Sequence, residues 1–292
     1  MLIEKIILGA AQLGLNYGIN NKTGKPNEVE AFKILNLAYQ NGIKYIDTAE
    51  AYGNSQKIIG QFLKKHSNKT FKVITKLAAD SSVKPEKFLA HLEKNCLELN
   101  VESLHGYMFH NYQSFKRRID LTEMFLLAKE KGLIQEMGIS LYTNAEVEEI
   151  IANQSHFDFI QIPFNLFDNS SKRREVIEKA KSCNINVHTR SVFLQGLFFK
   201  NYGELPEKLQ QLVPYLEKLS KTREKHHLTV LNLSLQYALQ KGFIDHVLVG
   251  VETPRQLMTN IRACKKETII PHDEIDALAI EEVELLNPSN WN

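Results

Sequence analysis

The chain has 292 residues, enough to bury either one barrel-sized core or two smaller ones. Apolar residues make up 43% and charged residues 24%, ordinary globular usage that excludes fibrous, disordered and membrane-embedded classes. The formal charge of +2, with lysines such as Lys64, Lys65 and Lys69 scattered rather than gathered in an aromatic-studded stripe, excludes a nucleic-acid partner.

The chain starts "MLIEKIILGAAQLGL", where Glu4 and Lys5 interrupt the apolar run, so a secretory signal is not expected. No apolar window approaches the roughly 20 residues that span a bilayer, and no membrane partner is expected. The first predicted strand is "KIILGA" from Lys5. Asn27 and Glu30 then read as an N-cap pair, Ala31, Ile34, Leu35 and Ala38 follow helical spacing, and Asn41-Gly42 offers a left-handed stop. Further strands follow as "KYIDTA" from Lys44, "KVITKL" from Lys72, "GYMFHN" from Gly106, "EMGIS" from Glu136, "DFIQIPF" from Asp158, "NVHTRSV" from Asn186 and "HVLVGV" from His246.

Two more helix starts are marked by Thr143 with Glu146 and by Thr253 with Gln256, the latter with Pro254 at the first helical position. Eight strands alternating with helices predict an α/β fold of the (β/α)8 barrel type. The absence of repeats and Pro/Gly/Ser linkers predicts a single domain over residues 1–292. A final helix is expected over Asp273 to Leu286, with Trp291 in the tail placed either at the barrel floor or over the mouth. Cys96, Cys183 and Cys264 form no C-x-x-C pair, so neither a disulfide frame nor a metal site is expected, and a reducing cytoplasm is the expected location.

Active sites of such barrels lie at the carboxyl ends of the strands. That geometric filter selects Asp47, Lys76, His110, Ser140, Gln161 and Arg190, with Tyr52 on the loop after the second strand. Each residue alone has a bland reading: a solvated lysine, a loop tyrosine, or an aspartate that caps the next helix. Gln161 alone could be a satisfied core amide, and Arg190 a bridge to Asp158 or Asp245. Together, an acid, a lysine, a histidine and a tyrosine suit proton delivery to a carbonyl oxygen that gains negative charge. A free phenol has a pKa of about 10, and a neighbouring cation that favours the phenolate would bring it toward neutrality. Lys76 is placed to supply that charge and Asp47 to hold Lys76, while His110 would hydrogen-bond the substrate oxygen.

The segments "LGAAQLG" at Leu8, "IDTAEAYGNS" at Ile46, "ITK" at Ile74, "FHN" at Phe109, "GIS" at Gly138, "QIPFN" at Gln161, "QGL" at Gln195 and "VGVETPRQLMTNI" at Val249 follow in the order of the aldo/keto reductase family. The chain resembles that family over nearly its whole length. The resemblance implies a (β/α)8 TIM barrel that binds a nicotinamide cofactor extended across its carboxyl-end mouth, without a Rossmann domain. The lack of a G-x-G-x-x-G fingerprint is consistent with that. It implies NADPH as the usual cofactor, with NADH possible, and an aldehyde or ketone as the small-molecule substrate. The catalytic tetrad falls on Asp47, Tyr52, Lys76 and His110.

For the cofactor, the resemblance places Gln161 and Ser140 at the nicotinamide carboxamide, with Gly9 and Ala10 at the end of the first strand. Arg190 stands where many members carry a stacking tyrosine; a guanidinium there would either stack or recruit an anion. Ser191, Gln195 and Gly196 belong to the loop along the pyrophosphate, and Gly250 and Glu252 lead into the last helix. The free N–H groups of that helix start would favour the adenosine 2′-phosphate, with Arg255 beside it and Asn260 at the adenine. Besides Arg190, two residues depart from the pattern: Leu141 where many members have asparagine, and Gln256 where many have the arginine that reads the 2′-phosphate.

Two other readings use the same residues. One is a Schiff-base aldolase acting through Lys76, and the other a redox-sensing barrel that binds the nucleotide with little turnover. For the substrate pocket, the polar "NYQS" after His110 and Arg190 suit a polar, sugar-like carbonyl, while Tyr17, Phe164, Phe167 and Trp291 would make it apolar.

Overall fold

A computed structural model describes residues 2–153 and 156–291. Eight strands are formed: β1 (Ile6–Gly9), β2 (Tyr45–Asp47), β3 (Lys72–Leu77), β4 (Leu104–Phe109), β5 (Ile134–Ser140), β6 (Phe159–Pro163), β7 (Asn186–Arg190) and β8 (His246–Gly250). Each pairs in parallel with the next, and β8 returns to β1 to close the barrel. The eight expected strands are therefore the eight observed, each within a few residues of its expected limits.

Strands buried on both faces need apolar residues at nearly every position, and alternation then divides those residues between two cores. In β1, Ile6 and Leu8 belong to the large core that includes the surrounding helices, whereas Ile7 meets Ile74, Met108 and Phe159 inside the barrel. Phe159 is too wide for a lumen lined all round by side chains. Gly138 makes the room, since a Cβ there would lie 2.3 Å from the Phe159 ring. Burying a side chain of that size stabilises the fold by about 1.5–3 kcal/mol.

The helix starts obey the caps read in the sequence. Asn27 Oδ1 accepts from the Glu30 amide at 3.0 Å at the head of helix Glu28–Gln40. Thr143 and Glu146 exchange side-chain and backbone bonds at 3.1 Å each. Thr253 and Gln256 close a capping box at the head of helix Pro254–Lys265. Satisfying these otherwise orphan amides fixes where each helix leaves the mouth.

The expected long final helix is not formed. A short helix His272–Asp276 is followed by irregular chain and 3-10 turns at Val283–Leu286 and Pro288–Asn290. Tertiary bonds claim its backbone: Asn169 Nδ2 donates to the Ile275 carbonyl at 2.7 Å, Lys172 Nζ to the Ile280 carbonyl at 2.6 Å, and the Ile280 amide to Phe167 at 2.9 Å. Trp291 is buried in the main core, its indole donating to the Leu285 carbonyl at 2.9 Å, and it does not line the mouth. Among the described residues, no helix is long and apolar enough to cross a membrane.

Candidate functional site

The loop between β2 and helix Ser55–Lys65 carries Tyr52, and its backbone is pinned at every step. The Thr48 and Glu50 amides continue the pairing to β3 by donating to the Ile74 and Lys76 carbonyls at 2.8 and 3.1 Å. A turn then brings the Tyr52 amide onto the Ala49 carbonyl at 3.0 Å. On the other side Gly14 packs so closely that a Cβ there would fall 1.8 Å from the Tyr52 carbonyl oxygen. Such close approach requires glycine.

Glu50, which the sequence reading passed over, anchors this loop from below. Its half-buried carboxylate accepts from Tyr107 Oη at 2.5 Å, Asn95 Nδ2 at 2.8 Å and the Ala78 amide at 3.0 Å, and it meets His91 Nε2 at 2.9 Å. Burial alone would raise its pKa, but the bonds from His91 and Tyr107 outweigh that and hold it below the usual carboxylate value. The signal was present in the sequence only as an acid one residue before Ala51, with nothing to show that Tyr107 and Asn95 would reach it.

Asp47 and Lys76 end adjacent strands and form a buried ion pair, their side chains 3% and 2% exposed. Lys76 Nζ also donates to the Thr48 carbonyl at 2.9 Å, and Gln161 Nε2 donates to Asp47 Oδ2 at 2.9 Å. Burial would push the Lys76 ammonium toward neutrality, yet the Asp47 carboxylate and the Tyr52 phenol raise its pKa above the ordinary lysine value. Lys76 is therefore a fixed cation. Its Nζ lies 4.9 Å from the centre of the Tyr52 ring.

His110 sits edge-on to Tyr52 with ring centres 5.8 Å apart. Burial, with the charges of Lys76 and Arg190, lowers its pKa to about 4, so the imidazole is neutral at physiological pH. Its buried Nδ1 has no partner among the described residues. An unpaired buried polar atom costs about 1–3 kcal/mol, which an added ligand group can recover. The four residues proposed as a tetrad thus converge from β2, its loop, β3 and the end of β4.

A cavity of about 460 Å³ opens beside Tyr52 and Asp47. Gly9, Ala10, Gln161, Arg190, Ser191, Gln195, Gly196, Gly250, Glu252, Arg255, Gln256 and Asn260 all line it. The loop after β7 is strained where it borders the cavity: Ser191, Leu194, Gln195 and Gly196 have φ of +64°, +46°, +53° and +87°. Non-glycine residues hold such φ values only where the surroundings over-determine them, and they cluster at functional sites. Gln195 Nε2 donates to Tyr17 Oη at 3.1 Å, so this loop meets the one after β1 over the cavity. A lining that runs from Gly9 and Gln161 past Ser191 and Gln195 to Arg255 and Asn260 mixes backbone, amide and charged groups of the kind that hold a dinucleotide.

Four expectations need correction. Ser140 is buried and does not line the cavity, although it pairs in register with Gln161, which does. The helix start at Pro254 presents only the Arg255 amide: those of Glu252 and Thr253 donate to Gln256 Oε1 at 2.7 and 3.3 Å, and that of Gln256 to Thr253 Oγ1 at 3.2 Å. Phe164 and Phe167 are fully buried, leaving Tyr17, Phe193 and Phe199 as the aromatic walls. Arg190 does not bridge to Asp158 or Asp245, which take Lys129 and Lys181, each at 2.6 Å. Its guanidinium instead lies over the Tyr142 ring at 4.1 Å. Gln12, Asn20 and Thr259 also line the cavity, and no sequence signal marked them.

A profile of the Aldo/keto reductase family matches residues 5–280. The chain is 27% identical over 300 residues to the uncharacterized oxidoreductase YqkF of Bacillus subtilis, covering 94% of this chain and 95% of that one. It is 23% identical over 263 residues to the NADH-specific methylglyoxal reductase of Escherichia coli, covering 77% of this chain and 80% of the relative. Among solved structures, the holo form of aldo-keto reductase AKR11C1 from Bacillus halodurans superposes with a TM-score of 0.77 at 19% identity, over 99% of this chain and 95% of that one, a likeness of fold. Barrel, motif order and profile agree, and the chain belongs to the aldo/keto reductase family.

Proposed function

We propose that the protein reduces an aldehyde or ketone to the alcohol, with Tyr52 delivering the proton and a reduced nicotinamide dinucleotide held across the mouth. The observation that carries this reading is the fixed Lys76 cation against the Tyr52 ring, locked by Asp47 beneath it. A reduced nicotinamide held beside Gly9, Gln161 and Ser191 would supply a hydride to the carbonyl carbon. Tyr52 gives its phenolic proton to the carbonyl oxygen, and Lys76 stabilises the negative charge left on the phenol oxygen. Asp47 keeps Lys76 charged and oriented, and Gln161 braces Asp47. Neutral His110 donates a hydrogen bond to the substrate oxygen and fixes the carbonyl plane. Both NADPH and NADH are in keeping with the family, one relative being named NADH-specific.

The Schiff-base reading finds less support. An amine nucleophile must be neutral and free to move, whereas Lys76 is 2% exposed, paired with Asp47 and held charged. Borohydride reduction in the presence of a carbonyl panel tests this. The reductase reading expects oxidation of the reduced nicotinamide and no covalent trapping at Lys76. Trapping at Lys76 without nicotinamide oxidation would refute it.

A further inference from the structure

We propose that this chain prefers NADH to NADPH and that Glu252 is the residue that selects it, an inference that rests on the nicotinamide reading above. Glu252, Arg255, Gln256, Thr259 and Asn260 form one wall of the cavity. A 2′-phosphate is a dianion, and holding it out of water needs donors and net positive charge. This wall offers little of either.

The backbone donors are spent. From Glu252 to Gln256 there are five residues: Pro254 has no N–H, and three of the remaining four amides are satisfied internally by Gln256 Oε1 and Thr253 Oγ1. Only the Arg255 amide is left to greet an anion. The capping box that stabilises the helix therefore disarms the anion site that a helix start usually provides. Its side chains give no more, because the Glu252 carboxylate cancels the Arg255 guanidinium in formal charge and Gln256 is neutral.

The Gln256 amide does one thing further. Its Nε2 donates to Glu252 Oε2 at 3.1 Å, while its Oε1 accepts from the Glu252 backbone at 2.7 Å, so one carboxylate oxygen is tied to the capping side chain. Glu252 Oε1 accepts none of these bonds. A fixed carboxylate oxygen on a cofactor wall suits a hydroxyl donor, as a ribose 2′-OH is, and repels a phosphate.

The test is direct binding by calorimetry with the purified full chain, NADH and NADPH being titrated separately at one ionic strength, for wild type and Glu252→Gln. The glutamine is isosteric and keeps an acceptor for Gln256, and thermal melts of both proteins confirm that each is folded. Wild type should bind NADH about tenfold or more tighter than NADPH. In Glu252→Gln the ratio should shrink by about fivefold or more, chiefly through tighter NADPH, as expected when a like charge is removed. Tighter NADPH in wild type, or a ratio that Glu252→Gln leaves unmoved, would overturn the inference while leaving the nicotinamide reading intact. Binding of neither dinucleotide would overturn that reading itself.

Discussion

Replacing Lys76 by methionine separates what the Asp47–Lys76 pair does for the fold from what it does for the chemistry. The substitution nearly conserves volume, so the cost of a cavity or of overpacking is small. It removes an ammonium 2% exposed and strands the Asp47 carboxylate, 3% exposed, with the Gln161 amide as its remaining side-chain donor. Removing one partner of a buried pair costs about 3–5 kcal/mol, and the retained Gln161 bond sets the expectation near about 3 kcal/mol. In a chain of this size that lowers the melting temperature by about 6–12 °C. Turnover should fall by about 10²–10⁴-fold because nothing then stabilises charge on the Tyr52 oxygen. The double variant Lys76→Met/Asp47→Asn removes the stranded charge. It should regain stability to within about 1 kcal/mol of wild type while turnover stays down. Urea unfolding and steady-state turnover of the single and double variants read both effects. A Lys76→Met protein as stable and as active as wild type would refute the reasoning.

Two further outcomes follow from the geometry. His188 lies inside the barrel, stacked on Phe159 at 4.7 Å and beside His246 at 5.0 Å, and burial with its histidine neighbours holds its pKa well below 6.5. A group with a depressed folded pKa that is neutral when deprotonated lends its stability above the unfolded value and loses it as pH falls. Wild type should therefore lose about 2 kcal/mol per such histidine between about pH 7 and pH 5. His188→Leu should flatten that drop in urea midpoints, and a wild type with constant stability across the window would contradict it. Gly14→Ala should destabilise the protein by about 3 kcal/mol or more and lower turnover, because the new Cβ would displace the Tyr52 carbonyl it would otherwise meet at 1.8 Å. Melting and turnover both at wild-type values would show that the Tyr52 loop is not braced in this way.

The barrel was legible because its evidence is local. Each strand is a short apolar run between turn residues, and Asn27, Thr143 and Thr253 announce their helices through a residue three positions on. The nearness of Asp47, Tyr52, Lys76 and His110 was legible for a related reason: strand ends converge by topology, so residues far apart such as Asp47 and His110 needed only their strand position to be brought together. What escaped depends on side-chain reach between elements. Glu50 looks like any loop acid until Tyr107 and Asn95 arrive from β4 and helix Phe88–Leu99. The helix start at Pro254 was correctly placed, yet its amides are mostly not free, because the pattern that marks a capping box also consumes them. The final helix failed where Asn169 and Lys172, some 106 and 108 residues away, took its carbonyls.

The central claim is that Tyr52 delivers the proton while the other residues hold cofactor and substrate. Tyr52→Phe removes one oxygen from the cavity wall and leaves the Asp47–Lys76 pair in place. The measurement is dinucleotide affinity and carbonyl turnover of this variant beside wild type. Tyr52→Phe should leave the dissociation constant unchanged and lower turnover by about 10²–10⁴-fold. Wild-type turnover in Tyr52→Phe would contradict it.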